Sequence, residues 1–153
     1  MLVESKLLIC TVGLPYAGKT TWALSQDCPI VSPDGLRVAL HGARFIMPAE
    51  PMIWTMTDYM IIALFVAGHD KVILDSTCNT ANRRQERILY GQTGGYQVKF
   101  EYFKTSAKVC ADRARFAHDE DIIPTIIRMD EERDWDIEKK APGGEKTSEK
   151  DVH

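Results

Sequence analysis

The chain has 153 residues, of which 44% are hydrophobic and 27% charged, and its formal net charge is −3. This length and balance suit one globular domain with a substantial core. The acidic balance argues against a protein that coats DNA nonspecifically, although it allows a local basic cleft.

Membrane and secretory signals are missing from the sequence pattern. No apolar run is long enough for a membrane span, and the first residues lack the pattern of a signal peptide. The four cysteines are scattered, without a C-x-x-C pair. We therefore expect a reduced cytoplasmic protein with no membrane contact.

A predicted strand, loop and helix open the chain. Residues 6–12 form a short apolar run typical of a buried strand, residues 13–20 match G-x-x-x-x-G-K-[ST], and residues 21–26 can continue as a helix. The two loop glycines let backbone N–H groups wrap a polyphosphate, and the helix start favours an anion. Lys19 would neutralise the β- and γ-phosphates and the Thr20 hydroxyl would bind Mg²⁺. This stretch predicts a site for a nucleoside triphosphate.

A second apolar run, at 29–32, precedes a helix predicted over 33–41, which begins with a Ser-Pro helix-start signature. Asp34 and Arg37 are three residues apart and share a face of the first turn. They could form a solvated ion pair. Because the ends of parallel strands line a ligand crevice, we favour the interpretation that Asp34 faces the γ-phosphate of the nucleotide.

A long helix is predicted over 51–68, after a connecting segment, with methionine and aliphatic residues at spacings of three and four. We expect its methionines to lie in the core. His41, Arg44 and Trp54 are candidates to lie beside the substrate.

A third strand, residues 71–75, ends in Asp75. A carboxylate after an apolar run is typical of a residue that binds Mg²⁺ or its waters, and the alternative is a structural strand-end cap.

The remaining pattern predicts a helix over 80–93, a strand over 97–103 and helices over 106–118 and 124–135. The first of these helices carries Arg83, Arg84 and Arg87, which favour a DNA partner. We expect a domain over residues 1–136 and a disordered polar tail over 137–153. Together the elements predict an α/β, three-layer P-loop NTPase fold with a mostly parallel sheet of four or five strands and a helical lid.

Four segments together resemble the polynucleotide kinase-like P-loop kinases, an AAA-type group with zeta-toxin-like members. The resemblance covers about residues 6–129, and its segments are the loop, S-x-D-x-x-R at 32–37, residues 75–79 with Arg83 and Arg84, and the stretch from Arg113 to Pro124. It implies that the residue at 34 is the base toward the acceptor hydroxyl and that the arginine at 37 contacts the transferred phosphoryl group. It also implies a lid that carries arginine to the phosphates.

The candidate residues fall into three groups. The catalytic candidates are Lys19, Asp34, Arg37 and Arg113. The candidates for holding ATP are Gly13, Pro15, Ala17, Gly18, Lys19, Thr20, Thr21 and Arg115. The candidates for holding Mg²⁺ are Thr20 and Asp75.

The resemblance implies an ATP-dependent kinase that phosphorylates a hydroxyl group of a nucleic acid, with DNA favoured. The acceptor would be a 5′-hydroxyl end or, as in bacteriophage relatives, a hydroxymethyl group on a pyrimidine base; a viral protein would work in the host cytoplasm. One alternative is a small-molecule or nucleoside kinase. Another is a nucleotide-dependent switch or binding module, against which the acceptor-side pair at 34 and 37 argues. The sequence leaves the oligomeric state open.

Overall fold

The fold comes from a computed structural model that describes residues 5–42 and 44–135. The predicted tail at 137–153 lies outside the described residues. The strands are β1 (Leu7–Gly13), β2 (Ile30–Val31), β3 (Lys71–Leu74) and β4 (Gln97–Phe103). The helices are α1 (Lys19–Leu24), α2 (Pro33–His41), α3 (Glu50–Val66), α4 (Ala81–Gly94), α5 (Ala107–Phe116) and α6 (Ile123–Glu132), and short 3-10 turns precede α3 and α6.

The four described strands form one parallel sheet in the order β2-β3-β1-β4. β1 is central and pairs with β3 on one side and with β4 on the other. The prediction of a parallel α/β sheet is therefore confirmed, with four strands among the described residues. Because the strands are parallel, their carboxyl ends meet at one edge, where ligands bind in such folds.

Side chains alternate along β1 and so build the two faces of the sheet. Leu8, Cys10 and Val12 pack in one buried cluster with Ile61 and Phe65 of α3. On the other face, Ile9 of β1 packs in a smaller cluster with Ala23 of α1 and Ile73 of β3. Helices on both faces give the predicted three-layer arrangement.

The prediction that the methionines of α3 lie in the core is wrong for two of the three, and Met56 is half-buried. Met52 is 61% exposed and Met60 is 41% exposed. The buried face of α3 is instead a stripe at spacing four: Ile53, Thr57, Ile61 and Phe65. Because α3 is apolar nearly all round, its hydrophobic pattern could not indicate which face is buried.

The helices predicted as a lid, α5 and α6, are packed onto the glycine-rich loop. Leu14 of the loop is fully buried in a cluster with Cys110 and Ala114 of α5 and Ile126 of α6. This packing holds both helices against the loop.

Candidate active site

The glycine-rich loop leaves the carboxyl end of β1 and is shaped by two glycines. A Cβ on Gly13 would lie 3.0 Å from the Cβ and 3.1 Å from the carbonyl oxygen of Phe103, so no larger residue fits there without a shift. Gly18 has φ of 96°, in the left-handed region that side chains disfavour. The Ala17 N–H donates to the Leu14 carbonyl at 3.1 Å, which closes the loop on itself.

Lys19 lies inside the loop, with 8% of its surface exposed. Its Nζ donates to the Gly13 carbonyl at 2.8 Å and to the Leu14 carbonyl at 2.6 Å. Burial lowers the pKa of Lys19 to about 8, and the charge of Asp75 acts in the opposite direction. The ammonium is therefore held in place before any phosphate is present.

Thr20 and Asp75 meet at the candidate metal position. The Thr20 hydroxyl donates to Oδ2 of Asp75 at 2.7 Å. A hydroxyl and a carboxylate this close are hard oxygen ligands of the kind that suits Mg²⁺, which commonly takes one or two carboxylates together with substrate phosphates. Among residues 5–42 and 44–135, no group of three or more His, Cys, Asp or Glu could hold a metal. The two oxygens fit a site completed by phosphates.

Asp34 and Arg37 form an ion pair that Glu50 extends. Ser32 caps α2 by accepting from the Gly35 N–H at 3.0 Å, which places Asp34 in the first turn. Arg37 Nη1 donates to Asp34 Oδ1 at 2.6 Å, and its Nε and Nη2 donate to the two carboxylate oxygens of Glu50 at 2.7 and 2.8 Å.

Burial distinguishes the members of this group. The Asp34 side chain is 82% exposed, whereas those of Arg37 and Glu50 are 13% and 15% exposed. The hydrogen bond to Glu50 is the main cause that raises the pKa of Arg37, and the same bond lowers the pKa of Glu50. The result is a fixed guanidinium beside an accessible carboxylate.

The two predicted lid arginines are placed differently. Arg113 Nη1 donates to the Tyr16 carbonyl of the loop at 3.0 Å. Arg115 instead pairs with Asp112 of its own helix at 2.9 Å. The Tyr16 hydroxyl also donates to Oδ2 of Asp119 at 2.6 Å, so the segment after α5 is tied to the loop.

The three arginines of α4, whose presence on one helix favoured a DNA partner, do not share one exposed surface. Arg84 is fully buried and donates to the Cys78 carbonyl and to Asp134. Arg87 is 5% exposed and its Nη1 pairs with Asp58 at 2.5 Å. Only Arg83, 58% exposed, presents its guanidinium to solvent. Of the three arginines that were interpreted as favouring DNA, only Arg83 is therefore available to contact a nucleic acid.

A groove lies between α3 and α4. Its inner part, about 310 Å³, is lined by Arg37, Thr77 and Asn79, and its outer part, about 620 Å³, by Phe45 and Tyr90. Trp54 lines both parts. Of the candidates to lie beside the substrate, Trp54 is thus at the groove, whereas Arg44 pairs with Asp119.

A parallel sheet with helices on both faces and a glycine-rich loop with a buried lysine define a P-loop kinase-like fold. The chain belongs to the AAA domain family, which matches residues 8–121. No curated protein matches the chain significantly. No described helix is long and apolar enough to cross a membrane.

Solved structures share the fold at low identity. A chain of the Pnkp1/Rnl/Hen1 complex is 22% identical with a TM-score of 0.64; the match covers 74% of this chain and 40% of that one. The Mycobacterium tuberculosis APS kinase CysC, solved with AMPPNP and APS, is 16% identical with a TM-score of 0.56, covering 75% and 73%. A gluconokinase from Sinorhizobium meliloti 1021 is 11% identical with a TM-score of 0.52, covering 82% and 74%. The chain thus spans less than half of the Pnkp1-complex chain.

Two residues of the site had no sequence signal strong enough to find them. Glu50 is an acidic residue just before a helix-start proline, a pattern that also fits an ordinary helix N-terminus. Asn79 belongs to the segment 75–79 of the resemblance, but nothing in the sequence indicated a role for it. Its burial and its contact with Met129 depend on packing between distant segments.

Proposed function

We propose that this protein transfers the γ-phosphoryl group of ATP to a hydroxyl group of a nucleic acid, either a 5′-hydroxyl end or a hydroxymethyl group on a pyrimidine base. The observation that carries the proposal is the accessible Asp34 carboxylate held beside the Arg37 guanidinium, 2.6 Å away. A nucleotide switch has no need of a carboxylate on the acceptor side. A kinase needs one to orient the hydroxyl and take its proton.

On the donor side, the loop supports ATP binding by its shape and charge. Lys19 would exchange the two loop carbonyls it now contacts for β- and γ-phosphate oxygens. Thr20 and Asp75 would hold Mg²⁺, whose charge would offset that of the phosphates. Pro15, Thr21 and Arg115 remain candidates for lesser contacts with ATP.

In the transfer step, the acceptor oxygen forms a bond to the γ-phosphorus and the bond from that phosphorus to the β,γ-bridging oxygen breaks. The Asp34 carboxylate takes the hydroxyl proton, and ADP leaves. Arg37 and Arg113 would stabilise the charge on the transferring group. Glu50 keeps the Arg37 guanidinium in one orientation through its two hydrogen bonds.

A nucleic acid acceptor is supported by two exposed arginines, which lie in the groove beside the exposed Glu86 and Glu132. Arg83 and Arg128 both line its inner part, and both are exposed. Guanidinium groups in such positions suit the phosphates that flank a reacting nucleotide.

A nucleoside or small-molecule kinase is the second candidate. Arg84 and Arg87 are buried in ion pairs, which leaves few cations for a long backbone. The groove is also of a size typical of small-molecule sites.

An acceptor panel separates these proposals. γ-Labelled ATP is offered with DNA bearing 5′-hydroxyl ends, with DNA containing hydroxymethylpyrimidines, and with free nucleosides. We expect label on one of the two nucleic acids. Label on nucleosides alone would support the second candidate, whereas slow ATP hydrolysis that no hydroxyl compound accelerates would contradict both.

A further inference from the structure

The groove between α3 and α4 adjoins the proposed transfer site through two of its lining residues. Its inner part includes Thr77, whose carbonyl accepts from the N–H of Gly13 at 3.1 Å, and Arg37, which pairs with Asp34. Its inner and outer parts share Trp54 among their lining residues. Arg37 contacts Asp34 on one side and Trp54 on the other, so an acceptor that passes Arg37 to reach Asp34 would have Trp54 beside it.

Trp54 lies beside three arginines, one of which is exposed. The guanidinium carbons of Arg37, Arg83 and Arg87 lie 6.0, 5.8 and 5.4 Å from its ring centroid. Arg37 and Arg87 are held by buried ion pairs. Arg83 is 58% exposed, and its Nη1 lies 3.5 Å from Oε2 of Glu86. Arg83 can therefore move so that a planar ring stacks on the indole, with the guanidinium on the outer side of that ring.

Asn79 supplies a polar group with an unmet hydrogen bond in the same groove. It is 7% exposed, and its Nδ2 donates to the Met129 carbonyl at 2.8 Å. Only the amide nitrogen can donate to a carbonyl, so this bond distinguishes Nδ2 from Oδ1 of the Asn79 amide. The other end, Oδ1, is buried and has no partner among the described residues. A buried acceptor without a partner is unfavourable, and a small movement that opens Oδ1 to the groove would let a donor on a ligand satisfy it.

We propose that this groove selects acceptors that carry a planar heteroaromatic ring of the nucleobase type, with Trp54 stacking on the ring and Asn79 Oδ1 accepting a hydrogen bond from the ring's edge. The proposal rests on the proposed function, because the groove is an acceptor site only if transfer takes place beside Asp34. It goes further in assigning recognition to the base next to the reacting hydroxyl rather than to the phosphate backbone alone.

Two oligodeoxynucleotides test the proposal. Both have a 5′-hydroxyl end, a 3′ fluorophore and the same sequence, but one has an abasic tetrahydrofuran as its first residue. The proteins are the wild type, Trp54→Leu, Trp54→Phe and Asn79→Ala. Tyr59→Leu is the matched control, because Tyr59 is on the same helix, 72% exposed, and does not line the groove.

We expect the wild type to favour the base-bearing end by about tenfold or more in kcat/KM, mostly through KM. Trp54→Leu should bring the ratio close to one, Trp54→Phe should restore most of it, and Asn79→Ala should reduce it. Tyr59→Leu should leave it unchanged, and KM for ATP should stay within a few-fold in every variant. Equal use of both ends by the wild type, or a preference that survives in Trp54→Leu, would overturn the proposal while the kinase function stood.

Binding without transfer gives the separate measurement. Fluorescence anisotropy with AMPPNP present reports the affinity for each oligonucleotide even if neither is phosphorylated. A base-dependent affinity that is lost in Trp54→Leu would support the groove's selectivity while the nucleic acid kinase function failed. Equal affinity for both oligonucleotides would overturn the selectivity itself.

Discussion

The glycine-rich loop and the proposed acceptor side of this site are built in different ways. The glycine-rich loop of the donor side is local, because Lys19 is bonded to carbonyls five and six residues before it. Only the metal position adds a distant residue to the loop, through the contact of Thr20 with Asp75. The acceptor side is assembled from distant segments, as in the bidentate contact of Arg37 with Glu50 and the contact of Asn79 with Met129, fifty positions later. The donor half can therefore be similar in many kinases, whereas the acceptor half depends on how this particular chain packs.

The largest expected effect is on the donor side. Lys19→Met removes the one charge held inside the loop, and we expect transfer to fall by about 10³-fold or more. The rate of γ-phosphoryl transfer to the acceptor that responds in the panel measures it. Lys71→Met is the matched control, since Lys71 is exposed at the opposite end of the sheet. Near wild-type transfer by a folded Lys19→Met protein would remove the loop from the mechanism.

Asp75→Asn should lower kcat by about 10²-fold, because an amide is a weaker Mg²⁺ ligand than a carboxylate. Raising the Mg²⁺ concentration should recover part of the loss, which a titration at saturating ATP measures. Asp70→Asn, just before the start of the same strand, is the control. If Asp75→Asn lowers only the thermal midpoint, the carboxylate is a structural strand-end cap.

Glu50→Gln tests whether the two hydrogen bonds from Arg37 to Glu50 position the Arg37 guanidinium for transfer. Glutamine keeps one acceptor oxygen but loses the charge and one of two hydrogen bonds to Arg37, so kcat should fall about tenfold with KM for ATP unchanged. Steady-state kinetics measure both constants, and Glu131→Gln, an exposed change on α6, is the control. A change confined to KM for ATP would assign Glu50 to the donor side instead.

The smallest effect is a pH dependence of ATP binding. Burial lowers the pKa of Lys19 to about 8, so the free protein loses this charge above that pH. The phosphates favour the charged form, and binding above pH 8 must then take up a proton. The affinity should weaken several-fold from pH 8 to about pH 9. Calorimetry in two buffers with different ionisation enthalpies measures the uptake, and no uptake would contradict a low pKa for Lys19.

The same contrast explains what the sequence could predict. The apolar run at 6–12 and the loop motif depend on neighbouring residues, so the central strand and the loop were predicted correctly. The buried state of Arg84 and Arg87 depends on Asp134 and Asp58, which lie fifty and twenty-nine positions away. Charge spacing along one helix cannot reveal such partners, and an arginine-rich helix was therefore mistaken for a basic surface.

The central claim, that Asp34 acts on the acceptor, is tested most directly by one comparison. ADP production is measured with and without the acceptor for the wild type and Asp34→Asn, together with the affinity for ATP. Because the Asp34 side chain is 82% exposed, the substitution should leave the fold and the ATP affinity nearly unchanged. We expect the acceptor-stimulated rate to fall by about 10²-fold or more. Stimulation by the acceptor that survives unchanged in Asp34→Asn would contradict the role of Asp34 as the base.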